Sequence, residues 1–258
     1  MATPSGYIMF QGRSAISDQS VVAIATMHSQ NDKTGNMVQL WILPSDLSPL
    51  AALKSNNNKG ACGSCKLQGW FDGKKMQNRV CYVNVGQAPE GIFKAFKRGK
   101  YPNYNPKIHA KKIKGRKIRL GAYGDPAALP CELLEHLVGL SAGHTGYSHQ
   151  LFDIAKTDRP LADRLAKMLM VSCDDNAQHN TATAYGWRTF TVKTPDGTTP
   201  ADSIQCPFYS HNVQCEDCLL CSGSAKGARS IYVIAHAKTG LNLPKVQAIT
   251  ISVTQSAA

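Results

Sequence analysis

Residues 117–149 read KIRLGAYGDPAALPCELLEHLVGLSAGHTGYSH, and this stretch indicates the fold. It predicts a strand over 117–120 and a helix over 130–140, where apolar residues recur at the i, i+3 and i+4 spacing. A second strand is predicted over 145–149. A strand, a helix and another strand in this order are typical of a βαβ unit with two parallel strands.

The same alternation continues on both sides of this stretch and gives six or seven units when counted from Val80. Strand-like runs occupy 80–85, 168–172, 187–192, 203–206 and 231–235, and helix-like runs occupy 90–97, 160–166 and 176–185. We therefore expect an α/β fold, specifically a partial or complete (β/α) barrel of the TIM-barrel type. The sequence contains neither a Gly-x-Gly-x-x-Gly fingerprint nor a P-loop, which argues against a standard dinucleotide or P-loop site.

The N-terminal part has a different pattern. Two strand-like runs at 20–27 and 37–43 are separated by a polar turn, and they predict a β-hairpin. We expect residues 1–59 to pack on a cysteine-containing barrel formed by 60–240, with 241–258 as a C-terminal extension of one compact unit. A short helix is expected to begin near 46–49, and 246–253 can add one more strand.

Composition excludes several classes of protein. The chain has 258 residues, of which 43% are hydrophobic, so it can bury a core and is not disordered. It has no run of about 18 apolar residues and no secretory signal pattern, so we expect a cytoplasmic protein without a membrane partner, located in the host cytoplasm if a phage encodes it. Nine cysteines in a reducing compartment favour metal binding over disulfides.

The positive charge is concentrated in one segment. Lys and Arg number 29 against 17 Asp and Glu, a net charge of +12, and eleven of the basic residues lie between Lys94 and Arg119 with no acidic residue among them. Basic side chains can neutralise phosphates while aromatic rings stack on bases. We therefore predict a nucleic acid or nucleotide as partner, although a merely solvated basic loop is the alternative. The predicted contact residues are Lys94, Lys97, Arg98, Lys100, Tyr101, Tyr104, Lys107, Lys111, Lys112, Lys114 and Arg116.

Seven cysteines fall into two groups. The first, called the three-thiol group, is Cys62, Cys65 and Cys81, and the second, called the four-thiol group, is Cys206, Cys215, Cys218 and Cys221. A Cys-x-x-Cys turn directs two thiolates at one metal, and four thiols can saturate a zinc ion or a [4Fe–4S] cluster. Three thiols leave one position open, as catalysis requires. The spacing leaves zinc and iron–sulfur both open, and the remaining Cys131 and Cys173 are expected to be small core residues.

Polar residues at the predicted strand ends are candidates for catalysis, because βα loops carry the chemistry of such barrels. We select Asp125, His149 and His236 as catalytic candidates. Asp125 follows two glycines that allow close approach of a ligand, but it can equally cap the next helix.

Five segments of the chain resemble a family of uncharacterised proteins of bacteriophages and mobile elements, some of which are grouped with radical-SAM-type barrels. The segments are Cys62–Cys65 (CGSC), Cys81–Gln87 (CYVNVGQ), Arg119–Pro126 (RLGAYGDP), Gly143–Tyr147 (GHTGY) and Gly186–Phe190 (GWRTF). The resemblance covers roughly residues 60 to 236 and brings no established activity with it.

A radical-SAM resemblance implies a partial barrel, S-adenosylmethionine as a cofactor, and a [4Fe–4S] cluster with one open corner. It also implies that the three-thiol group holds this cluster and the four-thiol group an auxiliary one. The spacing departs from that family, whose loop usually reads Cys-x3-Cys-x2-Cys, because the intervals here are 2 and 15 residues.

Three functions are consistent with the sequence. The first is a metal- or cluster-dependent enzyme that modifies a nucleic acid or nucleotide, and one version of this hypothesis is a radical-SAM-like enzyme. The second is a non-enzymatic, zinc-stabilised nucleic-acid-binding protein of phage or plasmid replication or regulation. The third is a structural or partner-binding phage protein whose metal only stabilises the fold.

Overall fold

The structure of the chain is a computed structural model that describes residues 4–224 and 228–235. Its strands are β1 (Gly6–Arg13), β2 (Ser20–Thr26), β3 (Val38–Pro44), β4 (Trp70–Phe71), β5 (Met76–Gln77), β6 (Lys117–Tyr123), β7 (Gly143–Ser148), β8 (Met170–Cys173), β9 (Thr189–Lys193), β10 (Ser203–Gln205) and β11 (Ser230–Ile234). Its helices are α1 (Pro49–Lys54), α2 (Lys59–Cys62), α3 (Ala88–Lys97), α4 (Pro106–His109), α5 (Cys131–Leu140), α6 (Leu151–Ala155), α7 (Arg159–Met168), α8 (Asn176–Ala184), α9 (Pro207–His211) and α10 (Cys215–Cys218). The expected α/β class is confirmed.

Nine strands form one mixed sheet in the order β1-β2-β3-β6-β7-β8-β9-β11-β10. The pairs β1–β2 and β2–β3 are antiparallel, and every pair from β3 to β10 is parallel. The two end strands, β1 and β10, are not hydrogen-bonded to each other, so the sheet of the described residues does not close. A barrel is therefore not shown, and the architecture is a mostly parallel sheet with an antiparallel N-terminal part.

The expected N-terminal hairpin is confirmed as β2 and β3, whose register pairs Val21 with Pro44. The sequence assigned no strand before it, yet β1 pairs along the outer edge of β2. The alternation of apolar and polar residues along β1 is weak because β1 is an edge strand. The side chains in the second half of this strand are partly buried or exposed. The hairpin joins the rest of the sheet through the parallel pair β3–β6.

The strand expected over 80–85 is wrong. These residues have no strand assignment, and the small sheet next to them pairs only β4 with β5. The connection from β3 to β6 lies over one face of the sheet, where residues 80–85 have no neighbouring strand to pair with, and of these residues only Val85 is fully buried. Val85 packs with Leu53 of α1 and Phe93 of α3.

Both faces of the sheet are covered. On one face Leu120 of β6 and Val171 of β8 pack in a core with Leu134 of α5 and Leu165 of α7. The opposite face is covered by α1 and α3 near β2 and β3, and by the segment after β10 near β9 and β11. Each thiol group belongs to one of the two segments that cover this second face.

Several helix starts are explained by local chemistry. Proline occupies one of the first two positions of α1, α3, α4, α7 and α9, where its missing N–H costs nothing. Asp158 and Asp175 accept hydrogen bonds from backbone N–H groups in the first turns of α7 and α8. No helix of the described residues is long and apolar enough to cross a membrane. The strand expected over 246–253 and the extension at 241–258 lie outside the described residues.

Candidate functional site

A cavity of about 100 Å³ lies where β6, β7, β8 and β9 end at their carboxyl termini. Its walls come from these strand ends and from the β3–β6 connection that covers them. The lining residues are Cys62, Cys65, Leu67, Cys81, Tyr82, Val83, Gly121, Ala122, Tyr123, Gly124, Asp125, Tyr147, His149, Ser172, Phe190 and Val192. The carboxyl ends of parallel strands are where α/β proteins usually bind ligands, and all members of the three-thiol group reach this place.

The three-thiol group is brought together by two short segments. Gly63, with φ of 52°, allows the turn in which the Cys65 N–H donates to the Cys62 carbonyl over 3.1 Å. Cys81 joins because its N–H donates to the Leu67 carbonyl over 2.8 Å. Burial raises the pKa of Cys62 well above its ordinary value, and the thiols of Cys65 and Cys81 raise it further.

Gln150 connects the cysteine turn to the sheet. Its side-chain oxygen accepts from the Ser64 N–H at 3.2 Å, and its amide nitrogen lies 3.4 Å from the Cys62 carbonyl oxygen. Gln150 is 4% exposed. Gln150 is not among the candidates that the sequence indicates, and the signal available for it was its position directly after His149 at a strand end.

Asp125 is a buried connection between three elements. Its carboxylate accepts from the N–H of Ala127 at 3.0 Å and from the N–H of His149 at 2.9 Å, and its own N–H donates to the Ala61 carbonyl. Burial raises its pKa, whereas hydrogen bonds from Ser148 and Ala127 oppose the rise. Asp125 caps the short turn at Pro126–Ala128, and it also lines the cavity; its catalytic role stays a prediction.

His149 lies between a thiol and a carboxylate. Its Nε2 is 3.4 Å from Oδ1 of Asp174, and Cys65 also interacts with the imidazole. Burial by itself would lower the pKa of His149, but Cys65 and Asp174 raise it well above its ordinary value. Asp174 is not among the candidates that the sequence indicates, because nothing local pairs it with His149.

Three buried polar atoms around this site, Nε2 of His149, Oδ1 of Asp174 and Oγ of Ser172, make no well-directed hydrogen bond among the described residues. The first two face each other at 3.4 Å, so the Ser172 hydroxyl is the one of the three that has no partner nearby. His149 and Ser172 both line the cavity. Since buried polar atoms are nearly always hydrogen-bonded, atoms left over at a cavity are typical of a place where a ligand or water binds.

The four-thiol group lies on the segment between β10 and β11. The pKa of Cys221 is raised, mainly by burial and then by Cys206, Cys215 and Cys218, so the four side chains lie near one another. Their segment is held by the turn of the N-terminal hairpin. The Cys215 N–H donates to the Lys33 carbonyl over 2.8 Å, and the Asn36 N–H donates to Oε2 of Glu216 over 2.8 Å.

All nine cysteines are free thiols. Cys131 and Cys173 are buried in the core, as expected for structural cysteines. In the described part of the chain, no group of three or more His, Cys, Asp or Glu side chains is arranged to hold a metal ion. The expected metal-binding loops are therefore not supported as preformed ion sites, although the thiols converge as the sequence indicated.

Arg119 of β6 lies between the two thiol groups. The residue is 8% exposed, and its guanidinium donates to the hydroxyls of Tyr82 and Tyr147 at 3.1 and 3.0 Å. Burial would lower its pKa, but Tyr147, Tyr82 and Cys215 raise it. In the sequence Arg119 belongs to the basic segment that was expected at the surface, whereas in the structure it lies in the interior.

The remaining basic segment is largely a surface. The exposed members are Lys94, Lys97, Arg98, Lys100, Lys107, Lys111, Lys112 and Lys114, and Arg116 is partly buried. Tyr101 does not fit the predicted base-stacking role, because it is 8% exposed and packs in the core. Tyr104 is partly buried, and its hydroxyl lies 3.1 Å from Nε2 of His136. A nucleic-acid partner is therefore not supported by exposed rings at these two positions.

Of the three catalytic candidates, Asp125 and His149 meet at one cavity, and His236 lies outside the described residues. Comparison of the chain with protein-family models, curated proteins and solved structures finds no match. The phage and radical-SAM resemblance therefore stays an expectation, and function has to be argued from the residues.

Proposed function

We propose that this chain is a metal- or iron–sulfur-dependent enzyme whose active site is the cavity at the ends of β6 to β9. The observation that carries the proposal is the meeting of the three-thiol group with His149 and Asp125 in this cavity. These residues come from three separate parts of the chain. A cavity with several titratable groups and a buried serine hydroxyl without a hydrogen-bond partner, that of Ser172, is more typical of an active site than of a structural staple.

The donor chemistry of the cavity suits a thiolate-bound group. Cys62, Cys65 and Cys81 would hold it, and three protein ligands leave one position for substrate or cofactor. Such a group would supply Lewis-acid chemistry as zinc, or electron transfer as an iron–sulfur cluster that can serve S-adenosylmethionine. Because the thiols are not arranged as a preformed ion site, binding requires them to move together.

The other residues of the cavity have roles that do not depend on the bound group. His149 is placed to hold or move a proton, since Cys65 and Asp174 both interact with its imidazole. Asp125 orients His149 through the backbone N–H at 2.9 Å. The rings of Tyr147 and Phe190, stacked with centroids 4.6 Å apart, form an apolar wall that excludes water.

We further propose a nucleic acid or nucleotide as substrate. An open groove of about 690 Å³ crosses β1, and Asn103 and Tyr104 of the basic segment form part of its lining. Of the lysines in this segment, only Lys94 and Lys117 form an ion pair with an acidic side chain. The Lys97 ammonium donates to the Ser45 carbonyl at 3.2 Å, and the other exposed lysines of the segment are available for phosphates.

The first experiment is anaerobic purification followed by measurement of iron, sulfide and zinc per chain. We expect bound metal in the wild-type chain and a loss of one centre in the Cys62→Ala/Cys65→Ala variant. Cys131→Ala is the matched control, because it removes a buried thiol that belongs to neither group. A wild-type chain that contains neither iron nor zinc would refute the proposal. If the chain contains iron, cleavage of S-adenosylmethionine is tested next.

The second candidate is a nucleic-acid-binding protein without catalysis, and the exposed lysines favour it specifically. The two candidates differ in what the cavity does. If Cys62→Ala/Cys65→Ala stays folded and binds single-stranded DNA as the wild type does, but loses product formation, the enzyme is supported. If the His149→Gln and Asp174→Asn variants leave every measured property unchanged, the binding protein is favoured.

A further inference from the structure

The connection from β3 to β6 carries a small hairpin, formed by β4 and β5, whose base is part of the cavity wall. The N–H groups of Val80 and Cys81 both donate to the Leu67 carbonyl, at 3.1 and 2.8 Å, and so join the two ends of this hairpin. Leu67 and Cys81 line the cavity. The β4–β5 hairpin therefore extends directly from the wall of the cavity.

The β4–β5 hairpin turns one large aromatic ring to solvent. Trp70 is 51% exposed, more than any other Trp, Tyr or Phe among the described residues, and it pairs with Gln77 across the hairpin. Phe71 and Met76, the next pair, are partly buried. Successive side chains of a strand point to opposite faces, so one face of the hairpin is partly covered while the other presents the indole ring.

The strand that carries this ring is anchored at both ends. The Asn56 side chain donates to the Phe71 carbonyl at 2.8 Å and accepts from the Phe71 N–H at 2.7 Å. In the turn, the Asp72 carboxylate accepts from the N–H groups of Lys74 and Lys75 at 2.7 and 2.8 Å. The hairpin is thus held in place before any ligand binds, and a rigid contact loses little conformational entropy on binding.

The surroundings of the exposed ring are positively charged. Between positions 47 and 89 the chain has six basic residues and one acidic residue, Asp72. Arg79 is used inside the protein, since its guanidinium donates to the Val83 carbonyl at 2.6 Å. Three lysines of this stretch are exposed and form no ion pair with an acidic side chain of the described residues, namely Lys66, Lys74 and Lys75. Lysines beside an exposed ring match the two groups that an unpaired nucleic acid offers, the phosphate and the base face.

We propose that the β4–β5 hairpin is a docking surface for single-stranded nucleic acid, in which a base stacks on Trp70 and phosphates contact Lys66, Lys74 and Lys75. The inference rests on the proposed function and deepens it, because it places the strand at the rim of the cavity. Ring stacking accepts every base and lysines contact the backbone, so this surface holds a strand without reading its sequence. A duplex keeps its base faces stacked inside and can use only the lysines.

The probe is oligo(dT) of about 16 nucleotides, the upper end of the site size of one single-strand-binding domain. Anisotropy of the fluorescein-labelled strand measures affinity, and quenching of tryptophan fluorescence by the unlabelled strand measures stacking. Of the three tryptophans, Trp187 is 4% exposed and Trp41 is partly buried, so quenching reports on Trp70. We expect the wild type to bind with quenching, and Trp70→Phe to bind without it. A duplex of the same length should bind more weakly and leave the fluorescence unchanged.

Two variants measure the ring and the charge separately. We expect Trp70→Ala to weaken binding between about fivefold and 150-fold, the range for loss of one stacked base. Lys74→Gln/Lys75→Gln should reduce the slope of log affinity against log salt concentration by about 1.4, or about 0.7 for each lost phosphate contact. Tyr185→Ala is the matched control for the ring, since it removes an aromatic residue of similar exposure, 42%, from outside the hairpin. Circular dichroism checks that each variant is folded.

Wild-type affinity in a folded Trp70→Ala variant would overturn the inference. If Lys111→Gln/Lys112→Gln then weakens binding, the nucleic-acid partner stands and its contact is the basic segment. Equal competition by poly-glutamate would also overturn the inference, because an acidic peptide would then be the partner of the lysines. A wild-type chain that binds no oligo(dT) refutes the nucleic-acid partner and this inference together. If binding depends on Trp70 while the purified chain contains neither iron nor zinc, the proposed metal enzyme fails and the inference stands.

Discussion

At the residue scale, glycine positions control where the acidic residue of the cavity lies. Gly124 has φ of 80°, and a Cβ there would lie against the Ile42 carbonyl oxygen, closer than Cβ atoms approach. The next residue is Asp125, whose N–H donates to the Ala61 carbonyl. The close approach of these backbones brings the loop after β6 against α2 and so toward the three-thiol group.

We predict that Gly124→Ala destabilises the chain by more than about 2 kcal/mol, because it adds a steric clash to the cost of a left-handed backbone. Gly99→Ala is the matched control. Gly99 has φ of 67°, and a Cβ there would meet nothing within 4 Å, so only the backbone cost of about 1 kcal/mol applies. Urea unfolding measures the free energy of unfolding of both variants. An equal loss in the two would show that a Cβ at position 124 does not clash with the Ile42 carbonyl.

At the element scale, α7 is a helix whose sequence carries a start signal, a proline in the first turn and a buried apolar face. α7 has Asp158 as its cap, a proline in its first turn and four buried residues on one face, namely Ala162, Leu165, Ala166 and Met168. The Asp158 carboxylate accepts from the Leu161 N–H at 2.9 Å. By contrast, the segment over 80–85 has the composition of a strand but no neighbouring strand to pair with.

We predict that Asp158→Ala costs about 1 kcal/mol of unfolding free energy, the usual loss when a helix cap is removed. Asp158→Asn keeps an oxygen that can accept from the Leu161 N–H and should lie within a few tenths of a kcal/mol of the wild type. Urea denaturation followed by circular dichroism gives both values. If Asp158→Ala and Asp158→Asn lose the same free energy of unfolding, the charge of Asp158 rather than its hydrogen bond stabilises α7.

At the scale of the whole molecule, the turn of the N-terminal hairpin is joined to the four-thiol segment near the other end of the chain. The hairpin turn over 29–36 contacts the four-thiol segment through Lys33 and Asn36. The guanidinium of Arg188 on the β9 side donates to the carbonyls of Leu220 and Gly223, both at 2.7 Å. The four-thiol segment is thus fixed from two sides, which is why short irregular elements keep a defined path there.

Two histidines make stability depend on pH. Burial lowers the pKa values of His144 and His179 below their ordinary value of 6.5. The unfolded chain therefore takes up protons that the folded chain does not, so the free energy of unfolding decreases as pH falls below about 6.5. His149, whose pKa is raised, acts in the opposite direction, so the prediction concerns the contribution of one residue. On going from pH 7.5 to pH 5.5, we expect the urea midpoint of His144→Gln to change in a direction more favourable to the folded state than the midpoint of the wild type does. A variant with the same pH dependence as the wild type would remove His144 from this explanation.

The sequence by itself determined the βα alternation, the N-terminal hairpin, the two cysteine groups and the candidacy of Asp125 and His149. These features depend on periodicity, turn residues and short spacings, which act within a few residues. Only the tertiary structure decided that β1 joins the sheet, that 80–85 does not, and that the described strands leave the sheet open. It also decided that Arg119 and Tyr101 are buried, and that Asp174, Gln150 and Lys33 reach the two thiol groups. These outcomes depend on contacts between residues far apart in the chain, where burial and charge compensation, rather than local propensity, determine the position of a side chain.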